Sequence, residues 1–217
     1  MFKAILWDMD GTLVDTERVV WSVMQRAFAQ AARIDLPEAL FESLLGQSEQ
    51  DFYRHMAQRY ELPDAQLTLI RETFDAAYIP QLAGVAPLPG AVEKVREFAG
   101  HAPQALVTGS NSAQAAAVLN ALALADCFQF TLACDQYDRG KPDPQPYLLA
   151  AKRLGVDPSS CLVIEDSPSG VTAAKAAGMR VVGVHEGNKG KYRIDHADLE
   201  LATLLELDWS ALRSQMS

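Results

Sequence analysis

The hydrophobic pattern of the chain alternates between short apolar runs and longer segments of amphipathic helical character. Five short runs have the length and composition of strands that are buried on both faces of a sheet. Strands that alternate with helices predict an α/β fold with a doubly wound parallel sheet. The predicted strands span residues 3–8, 104–108, 130–134, 161–165 and 180–185, and the helices between them span 91–98, 113–122, 146–154 and 170–177.

One long stretch after the first predicted strand departs from this alternation. It contains amphipathic helical segments without a convincing strand, and the Gly- and Pro-rich residues 83–90 that follow it are typical of a linker. We therefore predict a Rossmann-like core, formed by residues 1–15 and 83–217, and a helical insertion, formed by residues 16–82. Ligands of open α/β sheets bind beyond the carboxyl ends of the strands, so the insertion is expected to cover that edge as a lid. Its predicted helices span 19–32, 38–45, 50–60 and 64–78.

The composition indicates a substantial apolar core and an acidic protein. Apolar residues make up 49% of the 217 positions, and 28 acidic against 19 basic residues give a formal net charge of −9. No basic stripe of the kind that binds nucleic acid occurs in the sequence, so we expect no nucleic-acid partner. An acidic protein that acts on an anionic substrate needs local positive charge, which a metal ion or a particular lysine would supply.

The cysteines and the apolar runs predict a cellular location. Cys127, Cys134 and Cys161 are odd in number and irregular in spacing, which fits neither a disulfide framework nor a zinc site. They are typical of free thiols in a reducing compartment. The sequence shows no signal peptide and no run long enough for a transmembrane helix. We expect a soluble, cytoplasmic protein without a membrane partner, either a monomer or a weak homodimer.

The most informative motif, Asp8-Met9-Asp10-Gly11, directly follows the first predicted strand. Alternate residues of an extended strand face the same side, so Asp8 and Asp10 leave the strand together, and Gly11 permits a sharp turn. Two such carboxylates can bind a hard divalent cation or divide covalent catalysis between a nucleophile and a proton carrier. Asp and Gly are also common in turns, and the motif alone is equally compatible with that simpler role.

The second predicted strand is followed by Thr108-Gly109-Ser110-Asn111 and then by a helix. A hydroxyl group, a small residue and a helix N-terminus together form a good phosphate cradle. Helix capping by Ser112 is the commoner role of such a sequence, so this motif does not decide the function alone.

Charged residues follow the third and fourth predicted strands. Lys141 lies between Gly140 and Pro142, where a rigid backbone would hold its ammonium group as a point charge for phosphate, although most loop lysines are merely solvated. Glu165 and Asp166 end an apolar run, and adjacent like charges at a buried edge favour a cation between them. The alternative is that one acid caps the next helix and the other is solvated.

The four loops belong to one edge of the predicted sheet. Together they offer two acids, a hydroxyl beside a helix N-terminus, an ammonium group and two further acids. This combination indicates a magnesium site with a phosphate pocket and a nucleophile, because Mg²⁺ needs few protein carboxylates and accepts substrate oxygens as further ligands.

With these four motifs in order, the chain resembles the haloacid dehalogenase superfamily, in the phosphatase-type branch that has a helical cap after the first motif. It is similar to β-phosphoglucomutases and sugar-phosphate phosphatases. The resemblance implies that Asp8 attacks phosphorus and becomes a transient aspartyl-phosphate, while Asp10 moves protons. It implies that Mg²⁺ is held by Asp8, the backbone carbonyl of Asp10, Asp166 and Glu165, and that Thr108 and Lys141 hold the phosphoryl oxygens. Further candidates for substrate binding are Gly109, Ser110, Asn111 and Gln47.

The resemblance favours hydrolysis of a small phosphomonoester, with a sugar or polyol phosphate as the family-level expectation. The acid at position 10 argues against carbon–halogen cleavage, since the dehalogenases of the superfamily lack it. The alternative activity is a phosphosugar mutase. Such mutases carry a His in the first cap helix and an Arg in the cap's Gly-x-Ser loop, where this chain has Val20 and Glu49. A non-enzymatic alternative is a phospho-accepting receiver module, but receivers are far shorter and have no helical insertion.

Overall fold

The computed structural model describes residues 2–44, 49–189, 191 and 193–216. At its centre lies a sheet of six strands, in which every neighbouring pair is parallel. The strands are β1 (Ala4–Trp7), β2 (Gln104–Val107), β3 (Phe130–Leu132), β4 (Cys161–Glu165), β5 (Arg180–Val184) and β6 (Leu199–Leu201). Their order is β3-β2-β1-β4-β5-β6, so β1 lies in the interior and the carboxyl ends of β2 and β4 flank its own.

In the part of the chain that the structure describes, four helices follow β1 and lie within the predicted insertion. They are α1 (Glu17–Ala32), α2 (Glu38–Ser43), α3 (Glu49–Tyr60) and α4 (Asp64–Leu82), and α1 packs along α4. Each matches a predicted helix, but α4 continues past its predicted end at residue 78 and includes Pro80. Ile70, Phe74, Tyr78 and Leu82 are all buried at a spacing of four, so packing of one helix face continues the helix through the proline.

The sheet is covered by apolar side chains on both faces. Successive residues of a strand point to opposite sides, and Ile5 and Trp7 belong to one hydrophobic cluster whereas Ala4 and Leu6 belong to another. This arrangement confirms the predicted doubly wound α/β fold. The remaining helices are α5 (Ala91–Ala99), α6 (Ser112–Leu122), α7 (Gln145–Leu154), α8 (Pro168–Ala176) and α9 (Trp209–Gln215).

The two ends of the insertion meet at one point of the core. The backbone N–H of Leu88 donates a hydrogen bond of 2.8 Å to the carbonyl of Leu13, and Val14 forms an isolated antiparallel bridge with Pro87. The chain therefore leaves and rejoins the core side by side, a few residues beyond β1.

Several local predictions need correction. The N-cap of α6 is Asn111 and not Ser112: the Asn111 side chain accepts a hydrogen bond from the backbone N–H of Gln114 in a capping box. The hydroxyl of Ser112 instead donates to Asp135. The sequence analysis missed β6 and α9, which are a three-residue edge strand and a seven-residue helix. Segments this short carry too little periodicity to be recognised.

The three cysteines are free thiols, as expected. Among the helices of the described residues, none combines the length and apolar character that crossing a membrane requires.

Candidate active site

The first predicted motif lies at the carboxyl end of the interior strand. The backbone N–H of Asp8 donates to the carbonyl of Ile164 on β4, which continues the parallel pairing just beyond β1. Gly11 then turns the chain with a φ of +85°, in the left-handed region that suits glycine. A Cβ atom at Gly11 would overlap the Asp166 carboxylate, so the glycine also permits the first loop to lie against the fourth.

Lys141 joins the first, second and fourth loops through its ammonium group. Its Nζ atom donates to Asp8 Oδ1 at 2.6 Å, to Glu165 Oε1 at 2.7 Å and to the carbonyl of Val107 at 3.1 Å. The Lys141, Asp8 and Glu165 side chains are at most 9% exposed to solvent, so water screens these charges poorly. The predicted lysine is thus a buried charge at the centre of the site and not a solvated loop residue.

Glu165 is held by donors on several sides. Its Oε1 also accepts from the hydroxyl of Tyr147, while its Oε2 accepts from the backbone N–H of Asp166 and from both the N–H and the hydroxyl of Ser167. The carboxylate lies where a Cβ atom of Gly170 would be, so the glycine in α8 makes room for it. Although burial opposes ionisation, the neighbouring Lys141 and these hydrogen bonds keep the pKa of Glu165 below its ordinary value.

The other two acids of the cluster have fewer donors around them: the described side chains give Asp8 a hydrogen bond from Lys141 and Asp166 a long one from Thr12. Burial raises the pKa of Asp8 above its ordinary value, and Lys141 opposes this effect only in part. Burial, together with the negative charges of Glu165 and Asp8, raises the pKa of Asp166. The ligand oxygens of Asp8, Glu165 and Asp166 lie within 4.8 Å of one another. Three buried acids against one ammonium group form a donor set that suits a hard divalent cation.

The side chain of Asp10 points toward the second loop and the start of the insertion. Asp10 Oδ1 accepts a hydrogen bond of 2.7 Å from Thr16, and Oδ2 accepts from Ser110 at 2.8 Å and from Thr108 at 3.4 Å. Thr108 Oγ1 in turn accepts from the backbone N–H of Ser110. The surroundings of Asp10 therefore differ from those of the buried acid cluster, since its carboxylate accepts hydrogen bonds from hydroxyl groups.

The remaining residues predicted for substrate binding have different surroundings. Gly109 and Ser110 line the cavity above Asp8, whereas Asn111 caps α6 and donates its side-chain amide to Glu49 and Asp75 of the insertion. Gln47 lies outside the described residues.

Glu49 brings the insertion into contact with the core. Its backbone N–H donates to the carbonyl of Gly109, and its Oε2 accepts from Asn111 and Gln114 at 3.2 and 3.3 Å. Burial raises the pKa of Glu49 to about 7; Asp75 adds to this rise, while Arg71 opposes it. The two side-chain amides of α6 thus hold two neighbouring carboxylates of the insertion.

A cavity of about 220 Å³ lies between the insertion and the loops of the core. Asp8, Asp10, Lys141 and Asp166 line it on the core side, together with Ser110 and Asn188. On the other side it is lined by the insertion, including Val20 and Glu49, the two positions at which the sequence differs from the mutase pattern. The arrangement places the carboxylates of Asp8 and Asp10 and the ammonium group of Lys141 around one cavity.

Sequence reasoning missed several residues of this site. Asn188 donates to the backbone carbonyl of Asp166, and it follows β5, whose carboxyl end lies on the same edge as the other motifs; inspecting that fifth strand end would have found it. Tyr147, on α7, and Asp75, on α4, occupy ordinary helical positions. No sequence signal separates them from packing residues.

Comparisons with known proteins agree with this geometry. The sequence matches the haloacid dehalogenase-like hydrolase family over residues 2–178. The fructose-1-phosphate phosphatase YqaB of Escherichia coli (strain K12) is 35% identical over 84% of this chain and 96% of its own length. A bifunctional riboflavin kinase/FMN phosphatase of Arabidopsis thaliana is 32% identical over 94% of this chain, which spans only 54% of that protein. A crystal structure of β-phosphoglucomutase from Clostridium difficile has the same fold, with a TM-score of 0.87 at 24% identity, over 100% of this chain and 97% of that one.

Proposed function

The chain belongs to the haloacid dehalogenase-like hydrolase family, and from this premise we propose that it is a phosphatase that hydrolyses a small phosphomonoester through an aspartyl-phosphate at Asp8. One observation carries the proposal: buried Asp8 lies 2.6 Å from the ammonium group of Lys141, beside Glu165 and Asp166, at the floor of a sheltered cavity. A buried carboxylate that is paired with a cation and faces a cavity is arranged to attack an anionic phosphate ester.

The proposed reaction has two steps. In the first, a carboxylate oxygen of Asp8 bonds to phosphorus as the bond from phosphorus to the alcohol oxygen breaks, and Asp10 gives a proton to the departing oxygen. In the second, water attacks phosphorus and gives a proton to Asp10, and the bond between Asp8 and phosphorus breaks to release inorganic phosphate. Lys141 offsets the negative charge that develops on the phosphoryl oxygens, and Thr108 supplies a further donor.

The acid cluster fits a divalent cation, and we propose Mg²⁺. The carboxylates of Asp8, Glu165 and Asp166 would hold the ion. The family resemblance adds the backbone carbonyl of Asp10 as a further ligand. When bound, the ion would neutralise charge on the phosphoryl group. Because Glu165 accepts hydrogen bonds from Lys141, Tyr147 and Ser167, we assign it in addition the role of positioning Lys141.

Two features favour hydrolysis over phosphosugar mutation. Glu49 lines the cavity, where its carboxylate would repel a second phosphate when it is ionised, and Val20 offers no group that could move a proton. The curated relatives support a phosphatase, since one acts on fructose 1-phosphate and another on FMN. A sugar or polyol phosphate remains the family-level expectation for the substrate class. The receiver interpretation is set aside, because the family match covers residues 2–178.

We further propose that residues 16–82 act as a cap over a core of residues 1–15 and 83–217. The contacts of Glu49 and Asp75 with α6 support a closed position in which the cavity is shielded from water. Three free cysteines agree with a reducing compartment such as the cytoplasm. The expected monomeric or weakly dimeric state and the expected absence of a nucleic-acid partner stay predictions.

The proposal is tested by phosphate release from a panel of phosphomonoesters, with and without Mg²⁺, for the wild type and Asp8→Asn. We expect magnesium-dependent release by the wild type, inhibition by EDTA, and a loss of at least about 10³-fold in kcat in the variant, because an amide is a poor nucleophile. Circular dichroism controls for folding. Near-normal turnover by folded Asp8→Asn, or no release from any ester, would overturn the proposal.

A further inference from the structure

Among the described residues, the wall that the insertion contributes to the cavity is mainly apolar. The charged groups of the core face this wall across the space in which the alcohol part of a substrate would lie. Most of the wall residues are buried in a hydrophobic cluster that the insertion shares with one face of the sheet, so packing fixes the surface of the wall. The described apolar wall residues are Val20, Met24, Phe41, Leu44, Phe52, Phe74 and Tyr78.

The polar groups of this wall, among the described residues, are already engaged. The hydroxyl of Tyr78 lies near the side chain of Thr16, which donates to Asp10. The Glu49 carboxylate accepts hydrogen bonds from Asn111 and Gln114, and both of these amides are also bonded to Asp75. A substrate hydroxyl that pointed at the wall would therefore have to displace one of these bonds or lose its own hydrogen bonds to water.

The free-energy cost of placing a substrate group against this wall differs between classes of substrate. A hydroxyl group that is buried without a partner loses the hydrogen bonds that water gave it. An apolar or aromatic surface in the same position gains free energy, since it and the wall are removed from water together. Glu49 lines the same space, and its ionised form also disfavours any further anionic group on the alcohol.

We propose that the preferred substrates are phosphomonoesters of apolar or aromatic alcohols that carry few hydroxyl groups and no second anionic group. This inference rests on the proposed phosphatase function, and it departs from the family-level expectation of a sugar or polyol phosphate. The phosphoryl group lies among the charged loops of the core, and the alcohol meets the insertion through its apolar surface.

A matched pair of substrates tests the inference. Cyclohexyl phosphate and myo-inositol 1-phosphate share one carbon ring and differ only in the ring hydroxyls. We expect kcat/KM for cyclohexyl phosphate to exceed that for myo-inositol 1-phosphate by at least about tenfold, a difference of about 1.4 kcal/mol. Electron withdrawal by the hydroxyls makes the inositol oxygen the better leaving group, so intrinsic reactivity does not produce this order.

Variants of the wall give an independent readout. Val20→Asn places an amide on the wall and is expected to narrow the ratio of the two kcat/KM values by at least about fivefold. Ala29→Asn introduces the same side chain at an exposed position of α1 and should leave the ratio unchanged. If Val20→Asn does not fold, Phe74→Tyr, which adds one hydroxyl to a buried ring, is expected to narrow the ratio in the same direction.

The outcomes separate the inference from the function on which it rests. Equal or reversed kcat/KM values for the pair, or turnover of glycerol 1-phosphate with no turnover of cyclohexyl phosphate, would overturn the inference and leave the phosphatase in place. No phosphate release from these esters or from 4-nitrophenyl phosphate would overturn both. A ratio that is unaffected by both wall variants would also contradict the assigned role of the wall.

Discussion

The carboxylate of Glu49, at the start of α3, accepts a hydrogen bond of 3.2 Å from the side-chain amide of Asn111, the N-cap of α6. The side chain of Asn111 thus caps the start of a core helix through its oxygen and contacts the insertion through its NH₂ group. Asp75 shares the same amide, so two carboxylates lie close together at this contact. The contact between insertion and core therefore contains a charge repulsion that protonation can relieve.

We predict that Glu49→Gln removes part of the pH dependence of stability. The pKa of Glu49 is raised from 4.5 to about 7, so the folded state binds more protons than the unfolded state between these values. Stability of the wild type should accordingly fall as pH rises from about 4.5 through about 7, by about 1–3 kcal/mol from this group. Urea unfolding at stepped pH values measures the effect.

The control is Glu38→Gln, at an exposed position of α2. It should keep the wild-type pH dependence of stability, whereas Glu49→Gln should reduce the fall in stability between about pH 4.5 and 7. Parallel stability curves for the wild type and Glu49→Gln would contradict the assignment.

Asp10→Asn should preserve the fold and lower turnover of alkyl phosphates by about 10²–10⁴-fold, because the amide cannot supply a proton to the departing oxygen. The rate of the phosphorylation step should fall far less with 4-nitrophenyl phosphate, because its leaving group needs no proton. A rapid burst of nitrophenol followed by slow turnover is therefore expected in stopped-flow measurements. If the rate of the phosphorylation step fell equally for both kinds of ester, the proton-transfer role of Asp10 would be contradicted.

Lys141→Met should destabilise the protein by about 3–5 kcal/mol, since it leaves the buried carboxylates of Asp8 and Glu165 without their cation. It should also abolish phosphate release. Denaturant unfolding measures the loss of stability. The control variant is Lys152→Met, at an exposed position of α7, which should change the stability little. Similar stabilities for the two variants would show that the buried ammonium group contributes no net stabilisation.

Gly11→Ala should lower the stability of the protein more than Gly155→Ala, although both glycines have positive φ. Alanine in this conformation costs about 1–2 kcal/mol at either position. At Gly155 the added Cβ meets open space, while at Gly11 it overlaps the Asp166 carboxylate. We expect Gly155→Ala to stay active and Gly11→Ala to lose activity as well. Full activity of Gly11→Ala would show that the first and fourth loops can separate without consequence.

The main strands and helices were predictable because burial imposes a period on the sequence. All five predicted strands occur, and Cys161–Glu165 has the predicted bounds. The end of α4 was not predictable, since Pro80 signals a stop and only the packed position of Leu82 explains why the helix continues.

The convergence of Asp8, Lys141 and Glu165 followed from topology, because the carboxyl ends of parallel strands share an edge. The contact of Glu49 with Asn111 did not follow, since it depends on how the insertion lies against the core. The hydrogen bond from Tyr147 to Glu165 likewise arises where a helix packs beneath a strand end, which local sequence does not encode. The roles of all these residues remain proposals.

The hydrogen bond between Leu88 and Leu13, beside the bridge of Val14 with Pro87, has an architectural consequence. Since the insertion starts and finishes at adjacent points, its length and sequence can change without a change in the distance between β1 and β2. Another helical unit grafted between these two points would leave the catalytic sheet intact. The bridge of Val14 with Pro87 therefore marks the two positions at which the proposed cap could be exchanged for another.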